Sequence, residues 1–371
     1  MNTKISIRKA KTRFAMMLTV MLTLSLFSGL FGGLEAQAAK EERANEEMES
    51  RASSSLSAKN AVFLYSGYYQ DNTYYAPYDT KDLTRLDTVK RFIIGSGFQN
   101  TIDNYEERKL IKYVDQTVDT ITEANSSYRA ILPLPVHDKN ISDSEVDRLF
   151  DKYVDYMNEI KNRLGSNWDT IAGFYYPNEA IYYFASKDYR YSQIKNQPQV
   201  KLLEKISKFI NNSAEMKGAR TLVWAPYFGY GVNNTKVVET IAYMVDETEI
   251  FDRVYIQPHH YFENTPENLD PIYDSVKADK IYGYNGELVA KKHLGYTTVG
   301  IQMEIDRNYF KSSSFKKRYQ DTTDKFKRLE DDDKYFSFYL GAKGTVDRNG
   351  NAVQTNEYFK ATIDEINHFY N

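Results

Sequence analysis

The chain has 371 residues, of which 42% are hydrophobic, 27% charged and 15% aromatic, and it contains no cysteine. This composition excludes a disordered, collagen-like or disulfide-built protein, and the lack of thiols excludes zinc–thiolate sites, iron–sulfur clusters and a cysteine nucleophile. The net charge of −3 gives no electrostatic basis for binding nucleic acid. Tyrosine is unusually frequent, with 32 residues against 20 phenylalanines and 2 tryptophans. An excess of tyrosine suits surfaces that combine an apolar face with a hydrogen-bonding tip, and sugar binding is one such use.

The N-terminus has the organisation of a secretory signal peptide. Five basic residues between positions 4 and 13 precede an apolar run over 14–34, and Ala36-Gln37-Ala38 forms a small-x-small cleavage site. We therefore predict a signal peptide over 1–38 and a secreted protein, extracellular or associated with the cell envelope, with no stable membrane insertion after cleavage. An uncleaved membrane anchor is the alternative, because the apolar run approaches the length of a spanning helix.

Residues 39–58 hold few large apolar side chains and end in a serine-rich stretch. Such a segment cannot bury enough surface to offset the entropy of ordering, so we predict a flexible tether. Beyond it, residues 59–371 contain no further linker-like stretch and no internal repeat. We predict that they form one domain.

Short apolar runs alternate with helical patterns along this domain. Between the runs, apolar residues recur every three or four positions, which is typical of amphipathic helices. Eight buried strands that alternate with helices predict an α/β fold, a (β/α)8 TIM barrel, rather than a doubly wound open sheet. The eight runs lie at 61–66, 91–95, 128–133, 171–176, 221–226, 253–258, 298–305 and 335–340.

Two glutamates occupy the positions where a barrel carries its chemistry, at the carboxyl ends of the strands. Glu179 follows the fourth run and Glu304 lies in the seventh, both in an apolar context where an unpaired charge is costly. Strands four and seven approach each other across a barrel mouth, so these residues form the carboxylate pair that glycoside hydrolysis requires. Asp306, two positions beyond Glu304 and on the same side of an extended strand, is the alternative second carboxylate.

The motifs around these glutamates resemble those of known proteins. Asn178-Glu179 on strand four with Glu304 on strand seven resembles the large clan of retaining glycoside hydrolases. The ordered segments GFYYPNE, LVWAPYF, FDRVYIQPHHYF and GIQMEID are also similar to a family of secreted bacterial barrels of unknown function, over residues 61–340. The resemblance implies a glycosidase ancestry, with Glu179 as general acid/base and Glu304 as nucleophile. It does not imply a substrate, and it leaves open whether catalysis is retained.

Aromatic and polar side chains crowd the same predicted rim, where stacking on pyranose rings would account for the aromatic ones. The expected partner is a carbohydrate polymer. The predicted substrate-binding residues are Tyr68, Tyr69, Tyr176, Asn178, Tyr227, Gln257, His259 and Tyr261. Further aromatic residues of this rim are Tyr74, Tyr75, Tyr78, Phe228, Tyr230 and Phe262.

Two other functions remain compatible with the sequence. One is a non-catalytic cell-surface or coat protein that binds glycan on the same aromatic rim. The other is a metal-dependent polysaccharide deacetylase whose ligands come from His137, Asp138, His259 and His260, although no zinc-binding motif occurs. No phosphate-binding loop, dinucleotide fingerprint or serine-nucleophile elbow is present, so no cofactor is expected. Nothing in the sequence indicates the oligomeric state.

Overall fold

The computed structural model describes residues 60–181, 190–229, 231, 235–331 and 334–370. The signal peptide over 1–38, the tether over 39–58 and Tyr230 lie outside these ranges and stay predictions. No helix within these ranges combines the length and the apolar character needed to cross a lipid bilayer.

The chain alternates strands and helices throughout. The strands are β1 (Asn60–Tyr65), β2 (Tyr74–Tyr75), β3 (Arg91–Gly95), β4 (Arg129–Pro133), β5 (Ile171–Tyr176), β6 (Thr221–Trp224), β7 (Arg253–Ile256), β8 (Thr298–Glu304), β9 (Phe336–Tyr339), β10 (Gly344–Val346) and β11 (Ala352–Thr355). The helices are α1 (Thr80–Thr84), α2 (Leu110–Ala124), α3 (Val146–Leu164), α4 (Pro198–Asn212), α5 (Thr235–Asp246), α6 (His260–Glu263), α7 (Leu269–Ala278), α8 (Asn308–Lys311), α9 (Ser313–Phe326), α10 (Arg328–Asp331) and α11 (Phe359–Tyr370).

Eight of these strands, β1 and β3 to β9, form a closed barrel in which every neighbouring pair is parallel and β9 pairs with β1. They coincide with the eight apolar runs of the sequence, and the predicted TIM barrel is confirmed. The sequence pattern did not predict β2, β10 and β11, which form a separate antiparallel sheet. β2 and β10 are too short to give a periodic apolar signal, and β11 is exposed along its whole length, so it has no buried face to produce one.

The two-residue period of the strands produces two cores. Phe63, Tyr175 and Tyr255 belong to the cluster inside the barrel. Phe174 and Ile256, next to them in the sequence, belong to the larger cluster between the barrel and its helices. Each barrel strand therefore buries both faces, as expected for a parallel sheet covered by helices.

The amino-terminal end of the barrel interior holds two buried arginines, Arg91 and Arg253, each 1% exposed. The Arg253 guanidinium lies 3.5 Å from the centroid of the Tyr335 ring, and its Nη1 donates to the Tyr255 hydroxyl at 3.1 Å. Burial, together with the positive charge of Arg253, lowers the pKa of Arg91 to about 10. Positive charge inside the barrel is thus placed at the end opposite the strand termini that carry Glu179 and Glu304.

Gly173 allows β5 and β6 to pair closely. It lies beside a register shift between β4 and β5, and a Cβ atom at this position would be 1.9 Å from the carbonyl oxygen of Thr221. Because the obstructing atom belongs to the backbone, it cannot move aside without breaking the strand pair.

We expect Gly173→Ala to lower the free energy of unfolding by about 3 kcal/mol or more, at the upper end of overpacking effects. Gly286→Ala is the control, because its Cβ position is open and only the left-handed backbone (φ +75°) opposes a side chain; it should cost about 1 kcal/mol. Urea unfolding followed by circular dichroism measures both. Equal losses in the two variants would contradict the proposed close approach.

Candidate active site

Glu304 is the last residue of β8, and strand alternation directs its side chain into the barrel. Its neighbour Met303 packs outward against the helices, whereas Glu304 is enclosed and only 3% exposed. The carboxylate accepts hydrogen bonds from the backbone N–H groups of Tyr261 and His259, in the turn between β7 and α6. These two backbone N–H groups stabilise the ionised form of the carboxylate.

Glu179 lies just beyond the end of β5 and is half-buried. Its backbone carbonyl accepts from the Tyr227 N–H at 3.2 Å, which fixes the loop against the chain that follows β6. Its carboxylate accepts a hydrogen bond from the side chain of Gln257, directly after β7. The Gln257 amide also donates to the carbonyl of Ala225, so the loops after three adjacent strands position Glu179 together.

The two carboxylates influence each other's ionisation. Burial and then the negative charge of Glu179 raise the pKa of Glu304 to about 8, against the opposing effect of the two backbone donors. Burial also raises the pKa of Glu179, and the hydrogen bond from Gln257 opposes this shift. No lysine or arginine of the described residues is among the groups that set these two pKa values. At neutral pH the pair therefore holds one proton, which removes the repulsion between two negatively charged carboxylates.

Asp306, the alternative second carboxylate, does not join this pair. Its Oδ1 accepts from the Tyr261 hydroxyl and from the Asn308 backbone N–H, both at 2.8 Å, and its Oδ2 accepts from the Asn308 amide at 3.0 Å. Because β8 ends at Glu304, strand alternation does not extend to Asp306, which instead organises the turn into α8. Tyr261 is corrected as well: at 1% exposed, its ring is structural, and it serves the site through its backbone N–H.

Two further predicted substrate-binding tyrosines are also packing residues. Tyr176 faces outward from the barrel, is 1% exposed and pairs its hydroxyl with Nε2 of His137 at 2.8 Å. Tyr68 is 7% exposed, and the guanidinium of Arg108 covers its ring at 3.9 Å from the centroid. These contacts and this burial do not support sugar stacking on either ring, and the substrate-binding role of both tyrosines stays a prediction.

The other predicted substrate-binding residues stay predictions, and three of them, Asn178, Tyr227 and His259, belong to loops that carry or contact the two glutamates. Asn178 is buried beside Glu179, where its Nδ2 donates to the His137 carbonyl at 3.4 Å. The half-buried ring of Tyr227 lies 5.4 Å from the His259 ring. His259 has a left-handed backbone (φ +56°), which turns the chain between β7 and α6, and burial lowers its pKa. An uncharged imidazole is therefore favoured at neutral pH.

Three tyrosines that the sequence did not single out also face the carboxylates. Tyr65 and Tyr339 end β1 and β9, and Tyr175 is the inward residue near the end of β5. Burial is the main cause that raises their pKa values; the charge of Glu179 raises all three, and that of Glu304 adds to the rise at Tyr339. These phenols stay protonated and can donate hydrogen bonds. Counting inward positions back from each strand end is the sequence signal that would have found them.

The histidines do not assemble a metal centre. Both ring nitrogens of His137 have partners, the Tyr176 hydroxyl and the backbone carbonyl of Asp138, the latter at 2.6 Å. His260 is buried, with its Nε2 3.8 Å from Asp321 on α9. In the part of the chain that the structure describes, no group of three or more histidine and acidic residues could hold a metal ion. The deacetylase hypothesis therefore lacks a ligand set there.

We expect Glu179→Gln to lower the pKa of Glu304 from about 8, because it removes the negative charge that contributes most after burial. Glu263→Gln is the matched control, since Glu263 acts in the same direction but more weakly. Titration of side-chain carboxyl ¹³C signals in glutamate-labelled protein gives both values. A Glu304 pKa that does not change, or that falls equally in the two variants, would show that the carboxylates are not coupled.

Comparison with known proteins identifies the fold. No family model and no curated protein matches the chain, so the motif resemblance to a family of unknown function gains no support. Among solved structures, a glycoside hydrolase family 5 enzyme from Prevotella bryantii B14, bound to a xyloglucan tetradecasaccharide, is similar with a TM-score of 0.51 and 12% identity over 86% of this chain and 98% of that one.

Two further structures are similar at lower scores. A psychrophilic family 10 endo-β-1,4-xylanase has a TM-score of 0.47 and 14% identity over 81% of this chain and 96% of the other. A family 18 chitinase from Pseudoalteromonas aurantia has a TM-score of 0.45 and 10% identity over 83% and 99%. At such identities similarity shows the fold alone: the chain has the barrel architecture of the family 5 enzyme.

Proposed function

We propose that this chain is a secreted glycoside hydrolase that cleaves a polysaccharide by a retaining mechanism, with Glu179 as general acid/base and Glu304 as nucleophile. The observation that carries the proposal is the electrostatically coupled pair at the carboxyl ends of β5 and β8. Its fold is shared with a family 5 enzyme that binds xyloglucan, which supports the reaction class. Two carboxyl groups on either side of a glycosidic bond are what this chemistry requires.

The surroundings of the two glutamates favour this assignment of roles. Glu304 is buried at a strand end, and two backbone N–H groups stabilise its ionised form, which is the form that a nucleophile needs. Glu179 lies in a loop and is only half-buried. Water can therefore reach it in the second half of the reaction, when the acid/base residue must activate a water molecule.

The reaction begins from the singly protonated pair. In the free protein the raised pKa of about 8 places the shared proton on Glu304 at neutral pH, whereas the chemistry needs it on Glu179. The proposed mechanism therefore requires transfer of this proton to Glu179 when substrate binds, within a pair that titrates as one coupled system. It leaves Glu304 ionised, with the backbone donors of Tyr261 and His259 stabilising its charge.

Two displacements at the anomeric carbon then follow. A carboxylate oxygen of Glu304 forms a bond to this carbon while the bond to the glycosidic oxygen breaks, and the Glu179 proton passes to the leaving oxygen. In the second step Glu179 takes a proton from water, whose oxygen bonds to the anomeric carbon as the bond to Glu304 breaks. Both inversions together retain the anomeric configuration, and both carboxyls return to their starting protonation.

We expect Glu179→Gln and Glu304→Gln each to reduce hydrolysis by about 100-fold to 10,000-fold. Asp306→Asn should cost less than about tenfold, because Asp306 lies outside the pair and asparagine retains an acceptor at Oδ1. The assay measures reducing ends released from xyloglucan, xylan and soluble chitin oligosaccharides. Proton NMR of the first product should show the retained anomer. Inversion, or full activity in Glu304→Gln, would contradict the mechanism.

The pH dependence gives an independent test. Loss of the shared proton inactivates the pair, so kcat/KM should fall as the pH rises above about 8. In Glu179→Gln, assayed on an aryl glycoside that needs no protonation of its leaving group, this fall should disappear. A high-pH limb that survives unchanged would assign it to another group.

The alternative of a non-catalytic glycan-binding protein would be favoured by one specific result. The wild-type protein would then bind a glycan yet release no reducing ends, and Glu304→Gln would bind it equally well.

A further inference from the structure

A continuous row of aromatic rings lies beside the candidate carboxylates. We call it the aromatic wall, and its members in spatial order are Phe262, Tyr339, Tyr65, Tyr75 and Tyr69. Successive ring centroids are 5.7, 5.8, 5.0 and 5.4 Å apart. The members come from both ends of the barrel sequence, since β9 closes on β1 and β2 lies next to that seam.

One part of the wall adjoins the chemistry and another extends away from it. Tyr339 and Tyr65 are close enough to Glu179 for its charge to raise their pKa values. Tyr75, on β2, and Tyr69, in the loop before it, are both half-buried. β2 pairs with β10 in the small sheet outside the barrel. The wall therefore leads from the carboxylates out to the rim.

Phe98 lies in the loop after β3, which contacts the outer part of the wall. It is 64% exposed, one of the few large apolar side chains in the described residues to be so open. The preceding residue, Gly97, lies directly against Tyr75: a Cβ atom there would be 2.8 Å from the tyrosine hydroxyl oxygen. Gly97 also has a left-handed backbone (φ +66°), which only glycine adopts readily. The loop after β3 is thus held against Tyr75 at Gly97, and the exposed Phe98 directly follows this contact.

The chemistry of this surface suits a chain of sugars. Aromatic faces pack against the C–H faces of pyranose rings, and the phenol hydroxyls can bond to sugar hydroxyls. A pyranose ring is similar in size to one six-membered aromatic ring. A single sugar at the carboxylates would therefore cover only the inner part of the wall and leave Tyr69 and Phe98 without a ligand.

We propose that the aromatic wall binds consecutive sugar units of one glycan chain, from the carboxylates outward to Phe98. Tyr69 and Phe98 are then the residues that make the protein select an oligomer over a single sugar or a disaccharide. The position of the cleaved bond rests on the proposed function above, whereas binding along the wall does not require catalysis.

The test compares long and short ligands in the Glu304→Gln background, which removes turnover. Isothermal titration calorimetry measures Kd for xylohexaose, cellohexaose and chitohexaose and for the matching disaccharides. Tyr69→Ala combined with Phe98→Ala should weaken binding of the preferred hexasaccharide about tenfold and leave its disaccharide unchanged within twofold, as expected for the loss of two stacking contacts. Tyr273→Ala, a half-buried tyrosine on α7, is the matched control and should change neither Kd.

Each result bears on the proposal. The proposal is overturned if the double variant weakens binding of the hexasaccharide and the disaccharide equally, or weakens neither. It is also overturned if the protein binds no hexasaccharide. Phe98→Ala alone, at so exposed a position, guards against a folding defect and should by itself weaken only the hexasaccharide. If hexasaccharide binding depends on the wall but wild-type protein cleaves nothing, the wall stands and the hydrolase proposal fails. If the wild type cleaves and the wall variants keep the preference for length, the wall proposal fails and the hydrolase stands.

Discussion

Closure of eight parallel strands into a barrel is the constraint on which the rest of this structure depends. Because β9 must pair with β1, all eight carboxyl ends meet at one mouth, and every second residue near those ends points inward. Glu179 and Glu304 are far apart in the sequence and come together only for this reason. Gly173 contributes by removing a Cβ atom that would otherwise meet the backbone of β6.

Like charges at the mouth are the main electrostatic cost of this arrangement. Two enclosed carboxylates with no cation among the groups that set their pKa values would repel each other if both were ionised. Their raised pKa values, the backbone donors of the turn before α6 and the amide of Gln257 keep the pair stable in a singly protonated state. The buried Arg91 and Arg253 lie at the opposite end of the interior, so charge is segregated along the barrel. A pair that shares one proton is also the state in which acid catalysis starts.

The tyrosine excess divides into two roles that composition cannot separate. The hydroxyls of Tyr176 and Tyr261 are hydrogen-bonded to His137 and Asp306, and these bonds hold the loops of the rim in place. Tyr65 and Tyr339 instead face the carboxylates as protonated phenols. With the outer rings of the aromatic wall, they extend the site beyond the two glutamates. The same residue type thus packs the loops of the rim and lines the barrel mouth beside the carboxylates.

The sequence by itself determined the eight barrel strands, their order and the strand ends at which Glu179 and Glu304 lie, because apolar runs and the two-residue period are local properties of the chain. The signal peptide and tether also rest on the sequence alone. Only the tertiary structure decided which polar side chains already have hydrogen-bond partners within the protein. Asp306 lies beyond the end of β8, and its carboxylate accepts a hydrogen bond from the Tyr261 hydroxyl instead of joining Glu179. The Tyr176 hydroxyl is paired with His137, in the loop after β4. The sheet of β2, β10 and β11, and with it the outer part of the aromatic wall, likewise forms between segments distant in the sequence. Such partners are set by the packing of separate elements, which no local pattern records.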